Sequence, residues 1–154
     1  MNTYRIGQTK YARDRNGSGI DGRWNFKGEY VIYTAGTLAL ACLEKLAHTS
    51  GTSIYSGDFS VTAFEIPPGV KIAEISIAEI LKQNSSWQHV INYPITQQMG
   101  SDWLRKQGTA VLKVPSAIID LEHNYLFNPS HPDFAKMKIT NVRKFNFDDR
   151  LKAK

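Results

Sequence analysis

The sequence predicts an α+β domain with a mixed or antiparallel sheet, and three observations lead there. Strand-like segments outnumber helical ones. They are not spaced as regular βαβ units, which excludes a doubly wound parallel sheet. The 154 residues suit a single domain over 1–154. A chain of that size buries about 70% of its unfolded surface without a disulfide or metal staple.

Residues 3–8 read as a short first strand, and the polar, glycine-rich 12–22 as a loop. Residues 30–35 (YVIYTA) are β-branched and aromatic, the pattern of a buried strand. Thr37 is placed to cap a helix over 38–48 (LALACLEKLAH) that stops before Gly51. Apolar on most of its circumference, this helix is expected inside the core rather than on its surface. Residues 59–66 alternate with period two, Pro67-Pro68-Gly69 turns the chain, and 70–75 form the next strand. Residues 76–83 and 96–107 carry helical spacing. A strand over 110–114 meets Pro115, 118–126 is extended, 129–132 is punctuated by prolines, and 138–147 alternates as a last strand.

Apolar residues make up 42% of the chain and charged residues 21%, a globular balance that excludes disorder and collagen-like repeats. The net charge of +5 is too modest to name a nucleic-acid partner. Seven basic and two acidic residues fall in 136–154, a pattern read first as a solvated basic edge strand. Phe145 and Phe147, at period two, are expected to face the core. A single cysteine, Cys42, excludes an internal disulfide, and in its apolar helix it reads as a buried small hydrophobe. No apolar run approaches the ~18 residues of a membrane span, and residues 1–10 lack a signal peptide's apolar stretch, so a cytoplasmic location with no membrane partner is expected.

Gly17-Ser18-Gly19-Ile20-Asp21-Gly22 spells GxGxxG, but a dinucleotide fingerprint must leave a strand and open a helix. Here it follows a polar stretch and runs into Arg23-Trp24-Asn25 with no helical pattern, so that reading is rejected. Arg23 beside these glycines has two readings, a two-pronged phosphate ligand or a surface arginine paired with a carboxylate. Glu44 is flanked by Leu40, Ala41, Leu43, Leu46 and Ala47, which predicts a partly buried carboxylate. It is either a functional group or one half of a helical pair with His48 or Lys45. Tyr33, taken alone, reads as strand core, and Ser116 after Pro115 as a turn or cap hydroxyl. Trp87 and Trp103 read as core or groove residues. His48, His123 and His131 show no metal-ligand spacing, so no metal site is expected.

Taken together, these segments resemble the RES domain family, named for its arginine, glutamate and serine. Tyr4-Arg5-Ile6 resembles the domain's start. Gly17-Ser18-Gly19 with Gly22-Arg23-Trp24-Asn25 and Gly28 is similar to its GxG…GGRWN…G signature. Val31-Ile32-Tyr33-Thr34-Ala35 followed by Ala39-Leu40-Ala41-Cys42-Leu43-Glu44 resembles its strand-then-helix block. Val114-Pro115-Ser116-Ala117 and the stretch from Asn124 through Asn128-Pro129-Ser130-His131-Pro132 resemble its PSA and N-x-L-x-NP-x-H-P segments. Asp21 departs from the family's usual glycine and puts a carboxylate near the arginine.

The resemblance implies a split sheet related to the ADP-ribosyltransferase fold, with NAD as substrate rather than cofactor. It implies the toxin of a bacterial toxin–antitoxin pair, degrading NAD at the nicotinamide–ribose bond by hydrolysis or phosphorolysis. An Xre-type antitoxin would block the site, within an oligomeric complex that meets nucleic acid only through that antitoxin. Arg23, Tyr33, Glu44 and Ser116 are then the catalytic candidates. Arg5, Arg23, Tyr33, Asn124 and Asn128 are the candidates for binding NAD, with structural roles equally open for the two asparagines. Two alternatives stand beside this: a mono-ADP-ribosyltransferase acting on a protein, and a non-catalytic or RNA-directed domain using the basic edge.

Overall fold

The computed structural model describes residues 1–49 and 53–151. Seven strands form one sheet: β1 (Asn2–Gln8), β2 (Ile32–Ala35), β3 (Phe59–Glu65), β4 (Ile72–Glu74), β5 (Val111–Pro115), β6 (His123–Phe127) and β7 (Lys138–Phe145). Their order is β4-β5-β6-β2-β1-β3-β7. Every pairing is antiparallel except β4 with β5, so the sheet is mixed, as expected. Two halves meet between β1 and β2 at a single residue pair, Tyr4 with Ala35. Inside each half the registers are long, for example Asn2–Glu65 through Gln8–Phe59 between β1 and β3.

Alternation along the strands sorts the core. On one face, Leu112, Val114 and Leu126 pack with Trp24, Trp87 and Trp103 beneath α3 (Ile77–Leu81) and α4 (Tyr93–Lys106). On the same face of the other half, Ile6, Val61 and Phe59 pack under α1 (Leu38–Ala47), with Ile54 of the short α2 (Ser53–Ser56). The opposite face buries Ile32, Phe64, Val111 and Phe127 against Phe134 and Met137. The side chains of one face are thus covered by two separate groups of helices, α3 with α4 on one half and α1 with α2 on the other.

Local signals explain the helix starts. Thr37 accepts from the Leu40 N–H at the start of α1, and Ser76 with Glu79 forms a reciprocal capping box on α3. The helix α4 begins at Tyr93, three residues before the periodicity predicts, because Pro94 fits its first turn. It ends where Gln107 turns left-handed at φ 49°. Phe147 is buried edge-on against Phe59, and Phe145 packs on Phe147, so both do face the core. β7 is the sheet edge, with Lys138, Arg143 and Lys144 exposed.

Four expectations are corrected. α1 is not enclosed: only Leu40 and Ala41 are fully buried, because the helix lies on the sheet with its outer side in solvent. Cys42, on that helix, is accordingly half-buried. β3 does not alternate between core and solvent. Phe59, Ser60, Val61 and Thr62 are all buried, since the strand lies between β1 and β7 and is covered on both faces. Residues 118–122 are a turn, not extended chain, and β6 starts only at His123. Gly51, expected to end the first helix, and Lys152 and Lys154 of the basic stretch lie outside the described residues.

Candidate active site

Glu44 sits one turn beyond the buried pair Leu40 and Ala41, so helical spacing turns it inward at the edge of the sheet. Its side chain is 23% exposed. Oε1 accepts two hydrogen bonds, from the Ser116 hydroxyl at 3.0 Å and from Asn124 Nδ2 at 2.6 Å. Oε2 lies 3.7 Å from His48 Nε2, beyond hydrogen-bonding distance. Both readings of Glu44 are therefore present in the geometry. Ser116 is fully buried just past β5, and its oxygen also accepts from the N–H groups of Ile118 and Ile119. One hydroxyl thus shapes the turn and holds the carboxylate. Asn124 opens the same face of β6 opposite Ala35, two residues from Tyr33 on β2.

The second wall carries Arg23. Its guanidinium donates from Nη1 to the Trp87 carbonyl and from Nη2 to the Gln88 carbonyl, both at 2.7 Å, and stacks 4.4 Å from the Tyr93 ring. Burial lowers its pKa, while the phenol of Tyr93 and the carboxylate of Glu44 favour the cation. The Arg23 guanidinium and the Glu44 carboxylate are thus near enough to interact electrostatically. Asp21 is exposed and is not among these partners.

Arg23 and Trp24 form the tip of a two-residue turn closed by Gly22 and Asn25, with Gly22 N–H donating to the Asn25 carbonyl at 3.1 Å. Tyr33 donates its hydroxyl to Asn25 Oδ1 at 2.7 Å and accepts from the Trp24 N–H at 3.0 Å. Burial raises its pKa, so the phenol stays protonated. A Cβ on Gly22 would fall 2.6 Å from that hydroxyl, which explains the glycine. Asn25 Nδ2 reaches the carbonyls of Ile20, Phe26 and Glu29. From α4, Gln97 Nε2 donates to the carbonyls of Gly22 and Asn25, and Ser101 donates to the Glu29 carboxylate.

The fold thus brings Ser116 and Asn124 onto Glu44, sets Tyr33 against the turn that carries Arg23, and places Arg23 near enough to feel the Glu44 charge. Arg5 is not brought there. It alternates to the opposite face of β1, where Nη2 donates to the carbonyls of Tyr11, Ala12 and Asp14 and the guanidinium stacks on Phe64. Asn128 lies beyond the far end of β6, buried, its Oδ1 accepting from Ser130 N–H across the proline turn. Asn25, Tyr93 and Gln97 were missed by sequence reasoning. The sequence signal for Asn25 was its place two residues after Arg23; Gln97, 75 residues from Gly22, carries no local signal. Among the described residues, no cluster of His, Cys, Asp or Glu could hold a metal ion, and no helix is long and apolar enough to cross a membrane.

Residues 2–148 match the RES domain family. The chain is 35% identical over 147 residues to the Prs ADP-ribosylating toxin of Sphingobium sp. (strain YBL2), covering 94% of this chain and 90% of that protein. It is 34% identical over 161 residues to Toxin Res of Photorhabdus laumondii subsp. laumondii, covering 100% and 99%. Its fold is similar to a chain in the crystal structure of the M. tuberculosis MbcT–MbcA toxin–antitoxin complex, with a TM-score of 0.75 at 12% identity over 94% of this chain and 84% of that one. At that identity the likeness speaks for fold alone, and the mixed α+β sheet agrees with the fold class expected from the sequence.

A Cβ added to Gly100 of α4 would lie 1.9 Å from the Trp24 carbonyl oxygen, which forces the turn and the helix apart. Gly100→Ala is expected to destabilise the protein by about 3 kcal/mol, the upper range for overpacking. Denaturant unfolding followed by tryptophan fluorescence measures it, and an unchanged midpoint would show that the turn is free to move away from the helix.

Proposed function

The chain belongs to the RES domain family, and from that premise we propose that it is the toxin of a bacterial toxin–antitoxin pair that consumes NAD in the cytoplasm. The bond broken is the N-glycosidic bond between nicotinamide and ribose. One observation carries the reading: a carboxylate held by two neutral donors, Ser116 and Asn124, with an arginine near enough to feel its charge.

Breaking this bond sends both electrons to the nicotinamide nitrogen, which becomes neutral, and leaves oxocarbenium character on the ribose. An oxygen of water or phosphate then bonds to the ribose carbon, and its proton passes to solvent. Glu44 stabilises the developing positive charge. The groups bonded to Oε1 are neutral and fix it in place, while Oε2, 3.7 Å from His48 Nε2, is left to meet a ribose hydroxyl. Arg23 uses its remaining N–H groups for the pyrophosphate. The Tyr33 hydroxyl is committed to the turn, so it offers the substrate ring surface. NAD is the substrate, and no cofactor is required. A partner antitoxin fits as the restraint, most simply through an acidic segment laid against Arg23.

The second reading, transfer of ADP-ribose to a protein, is favoured by the name of the Sphingobium relative. Incubating purified protein with NAD, with and without phosphate and with a cell extract, separates the acceptors: free ADP-ribose, its phosphorylated form, or labelled protein. Nicotinamide release in none of these overturns the proposal. In cells, expression without a partner is expected to arrest growth with NAD falling first; high levels of folded protein with normal NAD would count against it.

Glu44→Gln keeps a carbonyl oxygen for Ser116 and Asn124 but removes the charge. It is expected to lower turnover by about 10²-fold or more with an unchanged melting temperature, and normal turnover would remove Glu44 from the chemistry. Arg23→Lys keeps the charge but loses the fork. NAD affinity is expected to fall about tenfold, the loss of roughly one charge-assisted hydrogen bond. Calorimetric titration reads this, and unaltered affinity would leave Arg23 only its bonds to the Trp87 and Gln88 carbonyls.

A further inference from the structure

We propose that Gln97 is a positioning residue for substrate binding: it locks the two-residue turn that presents Arg23 and sets the arginine's geometry without touching substrate. The proposal rests on the NAD reading of Arg23 and deepens it. Gly22 and Asn25 close the turn, and Gln97 donates from one nitrogen to both of their carbonyls, at 2.9 Å and 3.2 Å. It does so from the middle of a fourteen-residue helix, with only 7% of its surface exposed.

The chemistry selects glutamine. The position calls for two N–H donors on one uncharged group at the reach of two methylenes. Glutamate offers no donor when ionised, leucine offers none at all, and a lysine would bring an unpaired charge into a buried site. The other restraints bear on different atoms. Tyr33 holds the Trp24 N–H and the Asn25 side chain, and Gly100 lets the Trp24 carbonyl approach α4. Gln97 alone, among the described residues, holds both backbone carbonyls on either side of Arg23 and Trp24. Without it, Arg23 keeps its guanidinium bonds to the Trp87 and Gln88 carbonyls and its stack on Tyr93, but the turn that carries it loses the side-chain hold on both flanking carbonyls.

A residue that acts through Arg23 affects the binding of the phosphates and leaves bond breaking at Glu44 untouched. Nicotinamide release is measured for the full chain and for Gln97→Leu and Gln97→Glu, each alone and combined with Arg23→Lys, with melting temperatures recorded. KM for NAD is expected to rise about tenfold, the loss of roughly one hydrogen bond, while kcat stays within about twofold. In the Arg23→Lys background that KM effect should largely vanish, since two changes acting on one contact are not additive. An unmoved KM in a folded variant overturns the proposal, as does a KM effect of equal size with Arg23 or Lys at position 23. Should both variants fail to fold, Gln97 is a determinant of the fold and the proposal is again overturned. Wild-type protein that releases no nicotinamide ends the NAD reading and this proposal together, whereas active wild type with an unmoved KM ends this proposal alone.

Discussion

Where the backbone of Trp24 crosses α4, nothing larger than hydrogen fits between them, because Gly100 presents its bare Cα to the Trp24 carbonyl. That approach lets the indole of Trp24 reach the tryptophan-rich core under α3 and α4, and it brings Asn25 within reach of both Gln97 and Tyr33. A polar loop with little secondary structure thereby becomes as fixed as the helix it touches. Buried backbone groups must find partners, and here the asparagine, the glutamine and the tyrosine supply them for the segment that carries Arg23.

The opposite wall follows a different rule. Glu44 is held by side chains from two other parts of the chain, the turn after β5 and the start of β6, and neither donor carries charge. An arginine or lysine in their place would have given a tighter pair but a neutralised carboxylate. Neutral donors orient the group without cancelling its charge, which is what the proposed cationic transition state would call for.

Much of this was legible in the sequence, and the limits are physical. Local signals read well: the Thr37 cap and the stop near Pro115 each depend on neighbours a few residues away. Arg23, Glu44, Ser116 and Asn124 were legible because they stand in distinctive strings. The enclosure of α1 was misjudged because periodicity reports which residues are apolar, not how many sides are covered. β3 was misjudged for the same reason, since Ser60 and Thr62 look solvent-facing until a second layer is placed over them. Gln97 was invisible because its partners are backbone carbonyls, and any residue type supplies those.

The single backbone pair joining the two half-sheets, Tyr4 with Ala35, has a mechanical corollary. With so little hydrogen bonding across the seam, the angle between the halves is set by what straddles it. α1 does so: Leu40 and Ala41 rest on the β1–β3 side, while Glu44 and the Thr37 hydroxyl, which donates to Glu122 at 2.6 Å, reach the turn between β5 and β6. The helix works as a strap across a hinge. A change in the pitch of one half against the other would therefore pull on the Glu44 carboxylate, which is tied from α1 to Ser116 and Asn124 on the far side of the seam.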